Sequence, residues 1–341
     1  MTIAGFRNSS AKGCSNANVR NIIEISSSYT LQSFAYFSKM LKIAWSPLFN
    51  FQPLPVGHRF PMIKYDLLPE QLLYEGTITT ENIFEPQSLL QKNDFLAIHT
   101  PAYFEKLQTQ NLSPSEIRKT GFPLSKALIQ RELLIMNGTV QSALFALEYG
   151  VSFNIAGGTH HAFTNRGEGF CLLNDLAIAA SYLLRNKLAT KILIVDLDVH
   201  QGNGTAEIFA QDKRVFTFSM HGASNYPLHK ETSDLDIPLP DRTDDKTYLR
   251  LLSETLPRLF DTVCPDFVLF QSGVDVLYTD KLGKLALTHA GCRQRDKLVL
   301  ETCLRHKVPV AVSMGGGYSE RIADILEAHA NTYRLAQELF F

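Results

Sequence analysis

The chain has 341 residues, 45% of them hydrophobic and 20% charged, with a formal net charge of −1. That size suits one large α/β domain or two smaller ones, and the near-neutral balance excludes an overall basic field of the kind that collects nucleic acid or anionic membrane. Cys14, Cys171, Cys264, Cys292 and Cys303 are too few and wrongly spaced for a disulfide framework or a thiolate metal site and fit a reducing, cytoplasmic compartment, while no apolar run approaches the roughly 18 residues of a membrane span.

Residues 1–39 hold the Ser- and Asn-rich stretch "NSSAKGCSNANVRN", show no period and carry no signal-peptide core, which predicts a poorly ordered extension ahead of one domain over 40–341. "LKIAWSP" then starts ordered strand. "RELLIMNGTVQSALFALEYG" has helical spacing and a stop at Gly150. "VSFNIAGG" predicts a strand, and "NDLAIAASYLLRNKLA" a helix capped by Asn174 or Asp175. Further on, "KILIVDLD", "RVFTFSM", "PDFVLFQSG" and "VPVAVSMGGG" read as strands. Between and after them, "GTAEIFAQ", "TYLRLLSETLPRLFDTV", "AGCRQRDKLVLETCLRHK" and "SERIADILEAHANTYRLAQEL" read as helices, the second interrupted or tightened near Pro257. Continuous apolar strands alternating with helices imply βαβ crossovers and a mainly parallel sheet covered on both faces. No internal repeat appears, so one domain is the simpler reading.

In such sheets ligands bind beyond the carboxyl ends of the strands, and there the polar residues gather. His160 and His161 follow "VSFNIAGG"; Asp196, Asp198 and His200 follow "KILIV"; Ser219 and His221 follow "RVFTF"; Asp275 follows "FVLFQSG". Gly315, Gly316, Gly317 and Tyr318 follow "VPVAVSM". In an extended chain Asp196, Asp198 and His200 share a face. Joined by Asp275, two carboxylates and an imidazole suit a divalent metal with open positions. A histidine pair beside such an ion can supply the base and acid that amide hydrolysis needs. A carboxylate such as Asp196 and an amide such as Asn203 would tune two neighbouring imidazoles differently. Tyr318, on its glycine turn, can aim a phenol at a developing oxyanion. No phosphate-loop pattern accompanies the glycines.

Taken together and in order, "GHRFPMIKY", "GGTHHAFTNRGEGFCLLND", "ILIVDLDVHQGNGT", "FQSGVDVLYTDKLGKLALT" and "GGGY" resemble the zinc-dependent histone deacetylase superfamily, most of all its class IV branch and bacterial relatives. The superfamily also holds acetylpolyamine amidohydrolases and acetoin-utilisation proteins, and the likeness spans roughly residues 40–335. It implies the arginase/deacetylase fold, a single α/β domain around an eight-stranded, mainly parallel sheet with helices on both faces. It implies that Asp198, His200 and Asp275 hold one Zn²⁺ (Fe²⁺ being the other candidate) and that His161 is the general base and acid. In the same likeness His160 is the electrostatic partner paired with Asp196, Asn203 sits behind His161, and Tyr318 is the oxyanion donor. Gly169 and Phe170 match one wall of an acyl-lysine tunnel and Tyr226 the opposite wall. Arg59 matches an arginine in an internal cavity behind the metal. Asp196, Asp198, His200, Ser219 and Met220 match a structural K⁺ site.

Two departures stand out. Asn203 replaces an aspartate of class I enzymes. The acid with which those enzymes grip the substrate backbone has no clear counterpart, Asp94 of "QKNDFLAIHTPAYF" being the acid of that region. The expected activity is removal of acetyl or longer acyl groups from lysine side chains of a protein or peptide, by a monomer with neither nucleic-acid partner nor membrane span. Deacetylation of small amines such as acetylpolyamines is the alternative within the same chemistry. A catalytically silent scaffold is the alternative of another class, weakened by the presence of every expected catalytic residue.

Overall fold

The computed structural model describes residues 40–51 and 54–341. The expected extension over 1–39 lies outside them. Eight strands form one sheet, namely β1 (Lys42–Ala44), β2 (Ile83–Phe84), β3 (Val151–Asn154), β4 (Ile192–Asp196), β5 (Val215–Gly222), β6 (Leu235–Leu239), β7 (Phe267–Gln271) and β8 (Val310–Ser313). Their order is β2-β1-β3-β8-β7-β4-β5-β6, and every pairing is parallel. The helices are α1 (Lys64–Tyr74), α2 (Lys92–Leu96), α3 (Pro101–Gln108), α4 (Pro114–Thr120), α5 (Lys126–Tyr149), α6 (Asp175–Arg185), α7 (Asn203–Phe209), α8 (Asp245–Val263), α9 (His289–His306) and α10 (Ile322–Phe340).

Strands β3, β4, β7 and β8 are buried along their whole length, which is why they read as unbroken apolar runs. Adjacent residues of β3 show what covers each face. The Phe153 ring packs on Tyr333 of α10, centroids 4.4 Å apart. Asn154, pointing the other way, donates to the Ile135 carbonyl and the Thr139 hydroxyl of α5 at 3.0 and 2.8 Å. Helices therefore lie on both faces, as expected.

Three local readings are settled by geometry. Gly150 ends α5 with φ +90, a conformation that favours glycine. Asn174 caps α6, accepting from the Ala177 N–H, a contact worth about 1 kcal/mol. Asp175 does something else. Fully buried, it accepts from Gly158 N, Thr159 N, Thr139 Oγ1 and Ser313 Oγ at 2.7–3.0 Å, so it ties the turn after β3 to the end of β8. Of the interruption or tightening expected near Pro257, the interruption does not occur: α8 runs through it. Pro257 and Ser253, whose carbonyl Pro257 cannot satisfy, both sit on the exposed side of the helix. Cys171, Cys292 and Cys303 are buried free thiols. No helix among the described residues is long and apolar enough to cross a membrane.

Candidate active site

The ends of β3, β8, β7 and β4, neighbours at the middle of the sheet, bring together most of the residues singled out from the sequence. Strand β4 stops at Asp196, and the chain then bends. The shared face expected for Asp196, Asp198 and His200 is therefore only partly realised. Asp198 and His200 meet, with His200 Nδ1 3.0 Å from Asp198 Oδ1, and Asp275 from the loop after β7 joins them with Oδ2 3.1 Å from the same nitrogen. Asp196 turns instead to His160, Oδ2 lying 2.7 Å from its Nδ1.

Asp198, His200 and Asp275 are buried and offer three ligand atoms within 4.8 Å of one another. A neutral imidazole has one N–H, which satisfies one carboxylate; a divalent cation among the three satisfies all of them and neutralises both acids. The crowding of the three groups shifts their proton affinities. Burial and the neighbouring Asp198 push Asp275 up to about 7. Burial opposes charge on His200, yet its hydrogen bonds to the two carboxylates raise it to about 10. The donor set therefore fits a divalent cation.

Two glycine positions show how tightly the centre is closed. A Cβ on Gly316 would stand 2.1 Å from Asp275 Oδ2, and the Gly316 N–H donates to Asp198 Oδ2 at 3.0 Å. A Cβ on Gly169, whose φ is +54, would stand 2.7 Å from His161 Cδ2. Behind the ligands, Arg295 of α9 is fully buried and donates through Nη1 to the carbonyls of Leu197 and Gly273 at 3.2 and 2.5 Å. Asp296 balances its charge at 2.7 Å.

The histidine pair has two unlike partners. His160 Nδ1 faces the Asp196 carboxylate, whereas His161 Nδ1 faces Asn203 Oδ1 at 2.6 Å. Burial opposes charge on both. The carboxylates of Asp196 and Asp198 outweigh it and raise His160 to about 9. His161 has no such neighbour in contact, and burial with the positive charge of His160 and His200 holds it well below the usual imidazole range.

Tyr318 follows β8 on the glycine turn, and its ring lines both an inner cavity and the outer mouth. The Phe170 ring centroid is 6.0 Å from that of Tyr318, and Tyr226 stands edge-on to His161 at 5.0 Å. Gly169, Phe170 and Tyr226 all line the mouth. Phe60, 5.2 Å from Phe170 and 5.9 Å from Tyr318, is an aromatic neighbour that the sequence reading missed. The residues expected to bind K⁺ lie at the ends of β4 and β5, with Asp196 opposite Ser219 in register and Met220 next along the strand.

Arg59 is not in an internal cavity. It is exposed and lines the outer mouth. The arginine that lines the inner cavity is Arg131 of α5, buried, bonded to the Phe49 carbonyl at 2.7 Å and paired with Glu132. The adjacent charged pair Arg131–Glu132 ahead of the apolar run Leu133–Met136 of α5 was the available signal. Asp94 is committed elsewhere, accepting from Gln91 N in the cap of α2 and from Arg185.

Residues 58–333 match the family model of the histone deacetylase domain. The chain is 46% identical to an uncharacterized protein of Picosynechococcus over 84% of its own length and 96% of that protein's. It is 28% identical to Histone deacetylase 2 of Arabidopsis thaliana, covering 81% of this chain and 74% of that one. The crystal structure of an HDAC homolog from Aquifex aeolicus superposes with a TM-score of 0.74 at 26% identity, over 86% of this chain and 83% of that chain. An open parallel sheet with a buried Asp-His-Asp set at its carboxyl edge defines a hydrolase fold of the deacetylase type. The chain belongs to the histone deacetylase family.

Proposed function

We propose that this chain is a Zn²⁺-dependent hydrolase that removes acyl groups from lysine side chains. The observation that carries the reading is the meeting of Asp198, His200 and Asp275 beside two histidines with unlike partners, at the foot of an aromatic-lined opening that includes Tyr318.

Asp198, His200 and Asp275 would hold the ion, which when bound supplies a Lewis acid that polarises the amide carbonyl and makes water a better nucleophile. The chain's own groups do the rest. His161, backed by a neutral amide, takes a proton from the attacking water as the C–O bond forms, and returns it to the lysine nitrogen as the C–N bond breaks, leaving a carboxylic acid and an amine. His160, held by Asp196, keeps its proton and orients the water. The Tyr318 hydroxyl donates to the tetrahedral oxygen, which bears more charge than the starting carbonyl, so its contribution falls mainly in the transition state. Phe170 and Tyr226 wall the acyl-lysine stem and keep water out. A structural K⁺ at Asp196, Asp198, His200, Ser219 and Met220 belongs to the same reading.

The test uses the metal-analysed, purified chain on acetyl-, octanoyl- and myristoyl-lysine peptides and on an acetylpolyamine. One zinc per chain and release of free lysine from at least one peptide support the reading. A zinc-loaded chain that frees amine from none of the peptides overturns it.

A further inference from the structure

The outer mouth is a cavity of about 330 Å³ whose lining includes Arg59, Arg118 and Lys119 and no carboxylate among the described residues. All three cations are exposed, and among the described residues none has an ion-pair partner. Glu168, the acid that precedes Gly169, is already engaged: it accepts from Arg166 Nε at 2.7 Å and from the Tyr226 hydroxyl at 2.8 Å. In a chain of net charge −1, such grouping around one opening is not a by-product of composition.

These cations are held in place by backbone. Gly169 N and Phe170 N donate to the carbonyls of Lys119 and Thr120 at 3.0 and 2.9 Å, which fastens the end of α4 to the tunnel wall. The His58 ring, next to Arg59 in sequence, lies with Nε2 2.7 Å from the Gly121 carbonyl and brings that loop to the same rim. The macrodipole favours cations in the last turn of a helix and accounts for Arg118 and Lys119. It does not account for Arg59, which reaches the same opening from a separate loop.

We propose that this rim is a specificity element that selects acyl-lysine set among carboxylate side chains and rejects acylated cations. The inference rests on the acyl-lysine reading above. Three like charges around the mouth attract an acidic segment and repel the remaining ammonium groups of a polyamine.

The experiment compares kcat/KM for peptides of equal length in which the same acyl-lysine is flanked by Glu, Ala or Lys. The expected order is acidic, neutral, basic, with roughly a tenfold span between the extremes at low salt. The span should shrink toward one at about 0.5 M salt, where screening removes the rim's reach. In the triple variant R59Q/R118Q/K119Q the span should vanish, and in R59E/R118E/K119E the order should reverse. Equal values for the three peptides in the wild type, or an order untouched by both salt and substitution, would overturn the inference while leaving the acyl-lysine reading intact. Failure to cleave even the Ala-flanked peptide would instead overturn that reading, and this one with it.

Discussion

The backbone N–H of Tyr318 donates to Asp280 Oδ2 at 2.6 Å, while Asp280 Oδ1 accepts from Leu282 and Gly283 at 2.8 Å each. One carboxylate thus joins the glycine turn that carries the phenol to the loop that follows Asp275. Tyr318 is thus held at its backbone by Asp280.

Asp280→Ala should therefore lower turnover with little change in KM, by up to about 10²-fold, the scale expected when a reacting group shifts by an ångström. Its effect should not add to that of Tyr318→Phe, because both act on one hydroxyl. Steady-state kinetics on the four members of the cycle decide this; full additivity would show that Asp280 acts elsewhere.

Tyr318→Phe alone should reduce turnover by about 10²–10³ with substrate binding less affected, as loss of one oxyanion donor does. A variant as fast as wild type on its best acyl-lysine peptide would remove Tyr318 from the mechanism.

Asp275→Ala should abolish metal binding, since it takes away one of the three proposed ligands. Elemental analysis of the dialysed variant should find zinc near background and activity lost with it. Retention of full metal content would contradict the assignment of the ligand set.

His99 gives the fold a pH dependence independent of the metal centre. Its ring is buried, with Nδ1 3.0 Å from the Phe163 carbonyl and Nε2 accepting from Asn174 N at 3.1 Å, so both nitrogens are used in the neutral form. Burial lowers its pKa from 6.5 to about 4. The unfolded chain then binds the proton first, so the stability His99 contributes is complete above pH 6.5 and is lost as pH falls toward 4. About 2 kcal/mol should have gone by roughly pH 5. Urea unfolding of wild type and His99→Gln across this range should show a shallower slope in the variant, and an imidazole that titrates above pH 6 by NMR would refute the argument.

Gly169→Ala should fold with a modest loss of stability, about 1–3 kcal/mol for a non-glycine residue in this backbone region. The greater effect should fall on turnover, because the added methyl meets His161 Cδ2 at 2.7 Å and the Tyr226 ring at 3.3 Å. Zinc content should stay at the wild-type level, which distinguishes a displaced base from a damaged metal centre.

Much of this was legible in the chain. The central strands announce themselves because both faces are buried, and the chemistry-bearing residues sit at their carboxyl ends, where the chain leaves the sheet. Edge elements were not legible. Strand β6, "LDIPL", contains a proline and is half exposed, which is tolerated because it pairs only with β5. Strand β2 is two residues long. The exchange of Arg59 for Arg131 has a similar origin. Spacing in a sequence places a residue near a strand end, but whether a long cation points inward is decided by partners far away, such as the Phe49 carbonyl 82 residues from Arg131. Asp280 was missed because its partners are backbone N–H groups, which leave no mark on residue type.

The grip of Arg295 on the carbonyls of Leu197 and Gly273 has a consequence for how the centre is filled. Those carbonyls immediately precede Asp198 and lie two residues before Asp275, so the two carboxylate-bearing segments are bolted together from beneath by a side chain outside the Asp-His-Asp set. The spacing of the ligands is then inherited from the scaffold and not imposed by the cation, in contrast to small domains that unravel without their metal. The set would act as a socket whose seat stands whether or not an ion is held. Which divalent cation it would take would accordingly be a matter of supply and of ligand preference, decided after the chain has folded.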